Sequence, residues 1–444
     1  PVGRESNFFE LGGDSLMASR VIGRVRALGY EDARLQLLFD TENLSEFCKT
    51  LRKREAPPKQ EALIEVDPSK EYESFPLTEI QHAYLVSRGD SSSQATVGTT
   101  YCQIFAVDEI DLDRLDAAWG KVQKRHGMMR ASVEEDGTQS IAPSSKIGHI
   151  ERAECANSSE AKQQLEEIKR TVFALAKPPL HRVVSISWHE ESGKQTRLVF
   201  CFDYTVLDAL SVMTVLAELA ELYENPGADL PGIGLTFRDF VVGHRRDGRE
   251  VEEAEGYWRS PELPPAPQLP LAADPSTVGE GRFERLWRTV AEPEWSAVKE
   301  KARLHGITPS AVLLACYARV LSAWSGGGGV TLNLTIFDRP EVHPDIDKVV
   351  GDFTTLLPVA CRPSADASVE AQMRGVQNEL AGGLEHRAVS AVWVQRELAR
   401  SAGTSGVVLP VVFTSALGLS RFDLDGGFMD YLGGLSQTPQ AWLD

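Results

Sequence analysis

Residues 54–74 hold Pro57, Pro58 and Pro68 among many charges and few apolar side chains. No continuous helix or strand runs through such a stretch, because proline removes an amide donor and there is little apolar surface to bury. The chain therefore has to fold as a short unit before this linker and a much longer body after it. Its 444 residues are too many for one compact core and suit roughly two or three domains. In the short unit, residues 15–28 carry Leu16, Met17, Val21, Ile22 and Val25 at helical spacing, with Asp14 placed as N-cap. Apolar runs at 35–39 and 44–51 predict two more short helices.

Beyond the linker, strand-like and helix-like segments alternate. Residues 198–202 (LVFCF) and 330–336 (VTLNLTI) read as strands, and residues 112–126, 211–223 and 309–324 as helices. The proline-rich segment 262–275 (ELPPAPQLPLAADP) reads as an extended crossing between two mixed α/β lobes. The sequence thus predicts a helical unit at 1–53, a linker at 54–74, one lobe at 75–250 and a second at 251–444. Gly326, Gly327, Gly328 and Gly329 read as a mobile loop before a strand; a phosphate cradle would need a following lysine and helix.

Composition narrows the function. With 42% apolar and 25% charged residues the chain is globular in type, and its charge of −18 disfavours a nucleic-acid partner. No apolar run reaches the ~20 residues of a membrane span, and no basic-then-apolar leader opens the sequence. Cys48, Cys102, Cys155, Cys201, Cys316 and Cys361 form no CxxC pair, which predicts reduced thiols in a cytoplasm and no zinc site. No His/Cys/Asp spacing points to another metal.

The segment Phe8-Phe9-Glu10-Leu11-Gly12-Gly13-Asp14-Ser15-Leu16 places Ser15 at a loop-to-helix junction. A helix N-terminus favours a phosphate, so this serine suits a phosphodiester-linked arm; alternatively it is an ordinary helix-start serine. Gly13-Asp14-Ser15-Leu16 also spells the signature of the GDSL lipases and esterases. That family needs a late Asp-x-x-His to activate its serine, and here the last histidine is His386 in Leu-Glu-His-Arg, so the hydrolase reading fails. With its phenylalanines and paired glycines the segment resembles the attachment site of a peptidyl carrier protein of nonribosomal peptide synthetases. The resemblance implies a small all-α helical bundle with 4'-phosphopantetheine on Ser15 and a first helix that would precede Pro1.

The body resembles the heterocyclization domains of the same synthetases in six segments. Phe75-Pro76-Leu77-Thr78-Glu79-Ile80-Gln81-His82-Ala83-Tyr84 matches FPLTxxQxAY, continuing to Ser87-Arg88 where the family has GR. Arg125-His126-Gly127-Met128-Met129-Arg130 resembles RHxMLR, and Asp203-Tyr204-Thr205-Val206-Leu207-Asp208-Ala209-Leu210-Ser211 fits DxxxxDxxS. Gly351-Asp352-Phe353-Thr354 matches GDFT and Pro410-Val411-Val412-Phe413-Thr414-Ser415 matches PVVFTS. Ser436-Gln437-Thr438-Pro439-Gln440-Ala441-Trp442-Leu443-Asp444 matches SQTPQxWLD. Ordinary condensation domains carry HHxxxDG where this chain has DxxxxDxxS, and no adjacent histidine pair occurs here.

The resemblance implies an α/β, two-lobed, chloramphenicol-acetyltransferase-like pseudodimer, with a further strand and helix after Asp444. It implies amide formation between carrier-bound substrates, then cyclodehydration of a Cys, Ser or Thr side chain to a thiazoline or oxazoline. Asp444 takes the place of the general acid/base and Thr414 that of its orienting partner. Gln440 and Asn333 are expected to position substrate. Asp203 and Asp208 are expected to be buried and held by arginines or backbone amides, with Arg125 and Arg130 as partners. His126 reads as a structural histidine, Ser415 as local structure, and Trp258 and Trp287 as packing anchors. Expected partners are neighbouring carrier and adenylation domains and a phosphopantetheinyl transferase. Two other readings stay open: a domain that condenses without cyclizing, and a non-catalytic platform for carriers.

Overall fold

The computed structural model describes residues 2–8, 11, 13, 15–30, 32–53, 64–89, 98–260, 263–271, 283–402, 409–417, 428–439 and 441–443. The short unit contains three helices, α1 (Ser15–Ala27), α2 (Leu35–Asp40) and α3 (Leu44–Thr50). Ala18, Ile22, Leu35, Leu38, Phe39 and Phe47 are buried. The Asn43 side chain caps α3 by accepting from the Glu46 amide. The expected N-cap, Asp14, lies outside the described residues.

The linker is shorter than its composition suggests. Ile64 is buried in the core of the body, and its amide donates to the Val342 carbonyl. Glu71 and Glu73 pair with Arg130 and Arg238. One apolar side chain and two arginine partners are enough to fasten this polar segment, and composition could not show either arginine.

The first lobe runs from β1 (Phe75–Pro76) and α4 (Glu79–Gly89) through β2 (Thr100–Val107), α5 (Leu112–Arg125), β3 (Ala131–Val133), β4 (Thr138–Ile141), β5 (Glu151–Glu154) and α6 (Ser158–Ile168). It continues with β6 (His181–Glu190), β7 (Gly193–Asp203), α7 (Ala209–Glu224) and α8 (Phe237–Gly243); α9 (Gly248–Arg259) follows and packs Ala254 and Trp258 into the second lobe's core. The near-continuous apolar run in β7 reflects burial on both faces. Leu198, Phe200 and Phe202 enter the main core with α5 and α7, whereas Val199 and Cys201 pack on the α6 side. Cys102 and Cys201 are directly opposite in the β2–β7 register and form a disulfide. This corrects the expectation of six reduced thiols: strand register, which brings residues 99 apart together, is invisible in cysteine spacing.

The second lobe contributes α10 (Glu292–Leu304), α11 (Pro309–Trp324), β8 (Val330–Phe337), β9 (Thr354–Cys361), α12 (Val369–Glu385), α13 (Ala391–Ala402), β10 (Val412–Thr414) and β11 (Asp430–Gln437). Thr308 caps α11 and Pro309 fills its first position. The helix ends where Gly326 and Gly327 take φ of 88° and 91°, with the Gly327 amide returning to the Ser322 carbonyl. The glycine run is therefore a helix stop leading into β8. A three-stranded sheet is ordered β10-β8-β9, with β10 parallel to β8 and β9 antiparallel to it. Trp258 is buried as expected, but Trp287 is 78% exposed.

One strand breaks the two-lobe division. β11 leaves the second lobe and pairs antiparallel with β2, at the edge of the five-stranded sheet β11-β2-β7-β6-β5. A Cβ on Gly434 would lie 2.1 Å from the Cys102 carbonyl oxygen and 3.2 Å from its carbon. Both are backbone atoms that cannot rotate aside. Gly434→Ala is expected to lift β11 from β2, costing about 1–3 kcal/mol in urea denaturation and accelerating amide exchange through the strand.

Candidate active site

The loop from β7 to α7 carries two aspartates with no exposed surface, Asp203 and Asp208. Asp203 accepts from the Thr205 amide at 3.0 Å and its hydroxyl at 2.7 Å, and is ion-paired with Arg88. Arg88 closes α4, and α4 grips the same loop a second way: Gln81 donates to the Thr205 carbonyl and to Gln139. The glutamine of the FPLTxxQxAY segment and the arginine that follows it thus both hold the loop.

Asp208 caps α7 by accepting from the Ser211 amide at 2.7 Å. Arg339 binds it through both terminal nitrogens, at 2.7 and 3.0 Å, and the Phe353 amide adds a contact at 3.2 Å. The guanidinium also donates to the Ser211 hydroxyl and lies 4.2 Å over the Phe353 ring. The Ser211 hydroxyl in turn donates to the Gly351 carbonyl. Four segments of the fold, α7, the end of β8, the Gly351–Phe353 turn and the Asp203 loop, thereby converge on one carboxylate.

The arginines expected in this role are elsewhere. Arg125 pairs with Glu218 and donates to the Pro231 carbonyl, while Arg130 donates to the carbonyls of Gln123, Lys124 and Ala142. Both lie at the C-terminal end of α5, whose last carbonyls have no partner inside the helix and attract cationic donors. His126 is buried and meets Glu218 at 2.8 Å. Burial opposes the charge of Glu218, but His126 and Arg125 outweigh it and hold the carboxyl below its ordinary range.

Sequence matching passed over Asp352, the second residue of the Gly351-Asp352-Phe353-Thr354 segment. Its Oδ1 accepts from the Thr354 amide at 3.0 Å, while its Oδ2 is buried without a partner among the described residues. Burial, reinforced by the charge of Asp208 and only partly offset by Thr354, pushes this carboxyl up to about 8. It is uncharged at neutral pH. Its signal in the sequence was an aspartate inside an apolar, strand-entering motif.

The last two matched segments lie side by side. Thr414 ends β10 opposite Thr335 of β8, their hydroxyls 3.0 Å apart. Asn333, on the same face of β8 two residues earlier, is buried and donates to the Leu409 carbonyl; its Oδ1 has no partner among the described residues. After β11 the chain returns to β10: the Trp442 amide donates to Pro410, the Val412 amide donates to Leu443, and Val411 bridges Leu443 in parallel. Gln440 and Asp444 lie outside the described residues, as does the Ser15 side chain, although Ser15 opens α1. Ser415 meets Ser310 at 2.8 Å. Tyr204, next to Asp203, reaches Ser436 of β11 at 3.1 Å and stacks on Tyr101. A cavity of about 1140 Å³ lies against the outer side of β11, lined by Lys169, Arg170, Arg285, Arg288, Tyr431 and others. None of Thr414, Asn333, Asp203 or Asp208 lines it.

The chain matches the condensation-domain family over residues 71–425 and the phosphopantetheine attachment-site family over residues 1–51. It is 30% identical to bacitracin synthase 1 of Bacillus licheniformis over 97% of its length, spanning 8% of that protein. It is 34% identical to the phenyloxazoline synthase MbtB of Mycolicibacterium paratuberculosis over 85% of its length, spanning 33% of that protein. The EpoB cyclization-docking bidomain of Sorangium cellulosum superimposes with a TM-score of 0.75 at 31% identity, covering 86% of this chain and 78% of that one. The chain belongs to the condensation-domain family of nonribosomal peptide synthetases, with a phosphopantetheine-bearing carrier domain ahead of it. Its likeness to heterocyclizing relatives groups it with that branch.

Two outcomes test the buried charges. Arg339→Ala strands the Asp208 carboxylate and is expected to cost about 3–5 kcal/mol in urea denaturation. Asp352 acts through its proton. Between the unfolded carboxyl range and about 8 the folded chain keeps a proton that the unfolded chain has lost, so stability falls as pH rises through that window and levels above it. Asp352→Asn is expected to remove roughly one proton's worth of that slope when denaturation is followed from pH 5 to 9.

Proposed function

We propose that this chain forms an amide between carrier-tethered substrates and then closes a cysteine side chain, or that of serine or threonine, into a thiazoline or oxazoline. The observation that carries the reading is the pairing of residues 410–412 with 442 and 443, which sets the segment holding Thr414 beside the one leading to Asp444. Dehydration needs an acid, because hydroxide is a poor leaving group. We assign that role to Asp444, with the Thr414 hydroxyl orienting it and Thr335 orienting Thr414. Gln440 would hold the substrate carbonyl. Asn333 is assigned a supporting place, through its hold on the Leu409 carbonyl and its unpartnered amide oxygen.

Asp203 and Asp208 are assigned structural roles. Each accepts several donors and is ion-paired to an arginine, so neither is suited to lend a proton. The amine of the acceptor is already a good nucleophile toward a thioester, and positioning is most of what that step requires. As the thioester carbonyl is attacked the thiolate leaves; the side-chain thiol or hydroxyl then adds to the new amide carbonyl, and the adduct loses its oxygen as water.

Ser15 is the proposed attachment point for phosphopantetheine, whose bound form supplies a flexible arm ending in the thioester. The residues fit that role. Ser15 starts a helix, where a phosphate is favoured. The turn before it is tight: the Gly13 amide donates to the Phe8 carbonyl, and a Cβ on Gly13 would meet the Phe8 ring at 2.4 Å. A phosphopantetheinyl transferase and adenylation domains that load the carriers are the implied partners.

Mass spectrometry of the product separates the alternatives. The chain, primed and acylated at Ser15, is mixed with an aminoacylated acceptor carrier. The wild type is expected to give a product one water lighter than the amide. Thr414→Ala and Asp444→Ala should leave the amide and slow ring closure by roughly 10²–10⁴-fold. A wild-type product that keeps its water would make this a condensing domain only. Unchanged product from both variants would remove the assigned residues from the chemistry.

A further inference from the structure

The carrier unit lies on the condensation body, and its contacts are sorted by charge. Arg20 of α1 forks onto Asp347, at 3.1 and 2.9 Å. One turn later Arg24 lies 2.7 Å from both oxygens of Glu341. Arg26 approaches Glu385 at 3.8 Å. Arg387 donates to the Ser19 hydroxyl at 2.9 Å. Glu385 also accepts the Leu35 amide at 2.6 Å, capping α2, whose own N-cap residue Arg34 supplies no side-chain bond. Beneath these polar contacts, Ala18, Ile22, Leu35 and Leu38 share one continuous apolar cluster with Leu380 and Leu384 of α12.

Three carrier cations thus face three body anions across an apolar patch. Each exposed pair contributes little by itself. Opposed rows of charge instead fix register and reject a partner of the wrong sign, because like charges placed against each other repel. We propose that residues 338–349 and the C-terminal end of α12 form a docking seat for a carrier helix with basic residues at the spacing of Arg20 and Arg24, selecting this chain's own carrier over carriers with acidic residues there. The proposal rests on the carrier identity of residues 1–51 and is independent of ring formation.

The test uses the full chain and nuclear relaxation of carrier amides, because a docked carrier tumbles with the whole body and a released one tumbles as a small unit. In Arg20→Glu/Arg24→Glu the docking equilibrium should weaken roughly tenfold, and the carrier amides should show faster tumbling. Adding Asp347→Arg and Glu341→Arg should restore slow tumbling. Mass-detected loading of phosphopantetheine onto Ser15 in each variant shows that the carrier still folds. The unaltered chain gives a second reading that needs no variant: added salt should release its carrier. A carrier that stays docked in the double variant, stays loose in the fourfold variant, or ignores salt would overturn the proposal. None of these readouts depends on whether the domain cyclizes its product.

Discussion

The ion pair between Arg339 and Asp208 is the constraint on which the rest of this fold depends. Neither side chain is more than 1% exposed, so both charges have lost their water, a cost of several kcal/mol per ion that their attraction and further hydrogen bonds must offset. Asp208 meets that demand by accepting from Arg339, Ser211 and Phe353, each on a different stretch of chain. A carboxylate with so many fixed donors tolerates little displacement. It therefore fixes the start of α7 against the ends of β8 and β9, which belong to the other lobe. Asp203 repeats the arrangement five residues earlier with Arg88 at the end of α4. The loop between the lobes is pinned at both ends, and its central Tyr204 reaches β11.

Much of this was legible in the sequence, and the limits of legibility follow a pattern. Features set by neighbours along the chain were readable: α11 occupies the expected residues 309–324, although the glycines after it, read as a mobile loop, stop the helix. The burial of both motif aspartates was expected from the resemblance and the strand-then-turn context, and both are buried. Their partners were not those expected. Arg125 and Arg130 are absorbed by the end of α5 and by Glu218, and nothing in their spacing reveals this. Arg88 was visible in the motif that carries Gln81, but Arg339 lies outside every matched segment. The Cys102–Cys201 pairing and the crossing of β11 share one cause. Each depends on register between distant strands, which hydrophobic periodicity does not encode.

The same contacts bear on the chemistry. No adjacent histidine pair occurs here, and Asp203 and Asp208 are each held by an arginine and further donors, so in the proposed reaction we assign the acid for dehydration to Asp444. Asp352 holds a proton at neutral pH but is sealed from solvent beside the lobe junction. An acid that turns over must exchange its proton with substrate and water in every cycle, which a sealed group cannot do. A protonated Asp352 instead lets the turn pack against the Asp208–Arg339 pair without adding a second negative charge to it.

The crossing of β11 explains why that motif has to be discontinuous. Its first residues are strand partners of β2 in the first lobe, while Trp442 and Leu443 are bonded to Pro410 and Val412 in the second. The segment therefore spans the same two bodies that Arg339 and Asp208 tie together. Any shift of one lobe against the other would strain this segment and the buried ion pair at once. A reaction that must hold two tethered substrates and then reposition the product for a second attack benefits from a junction that resists such shifts. The carrier is held differently, by exposed charge pairs laid over an apolar cluster that it shares with α12.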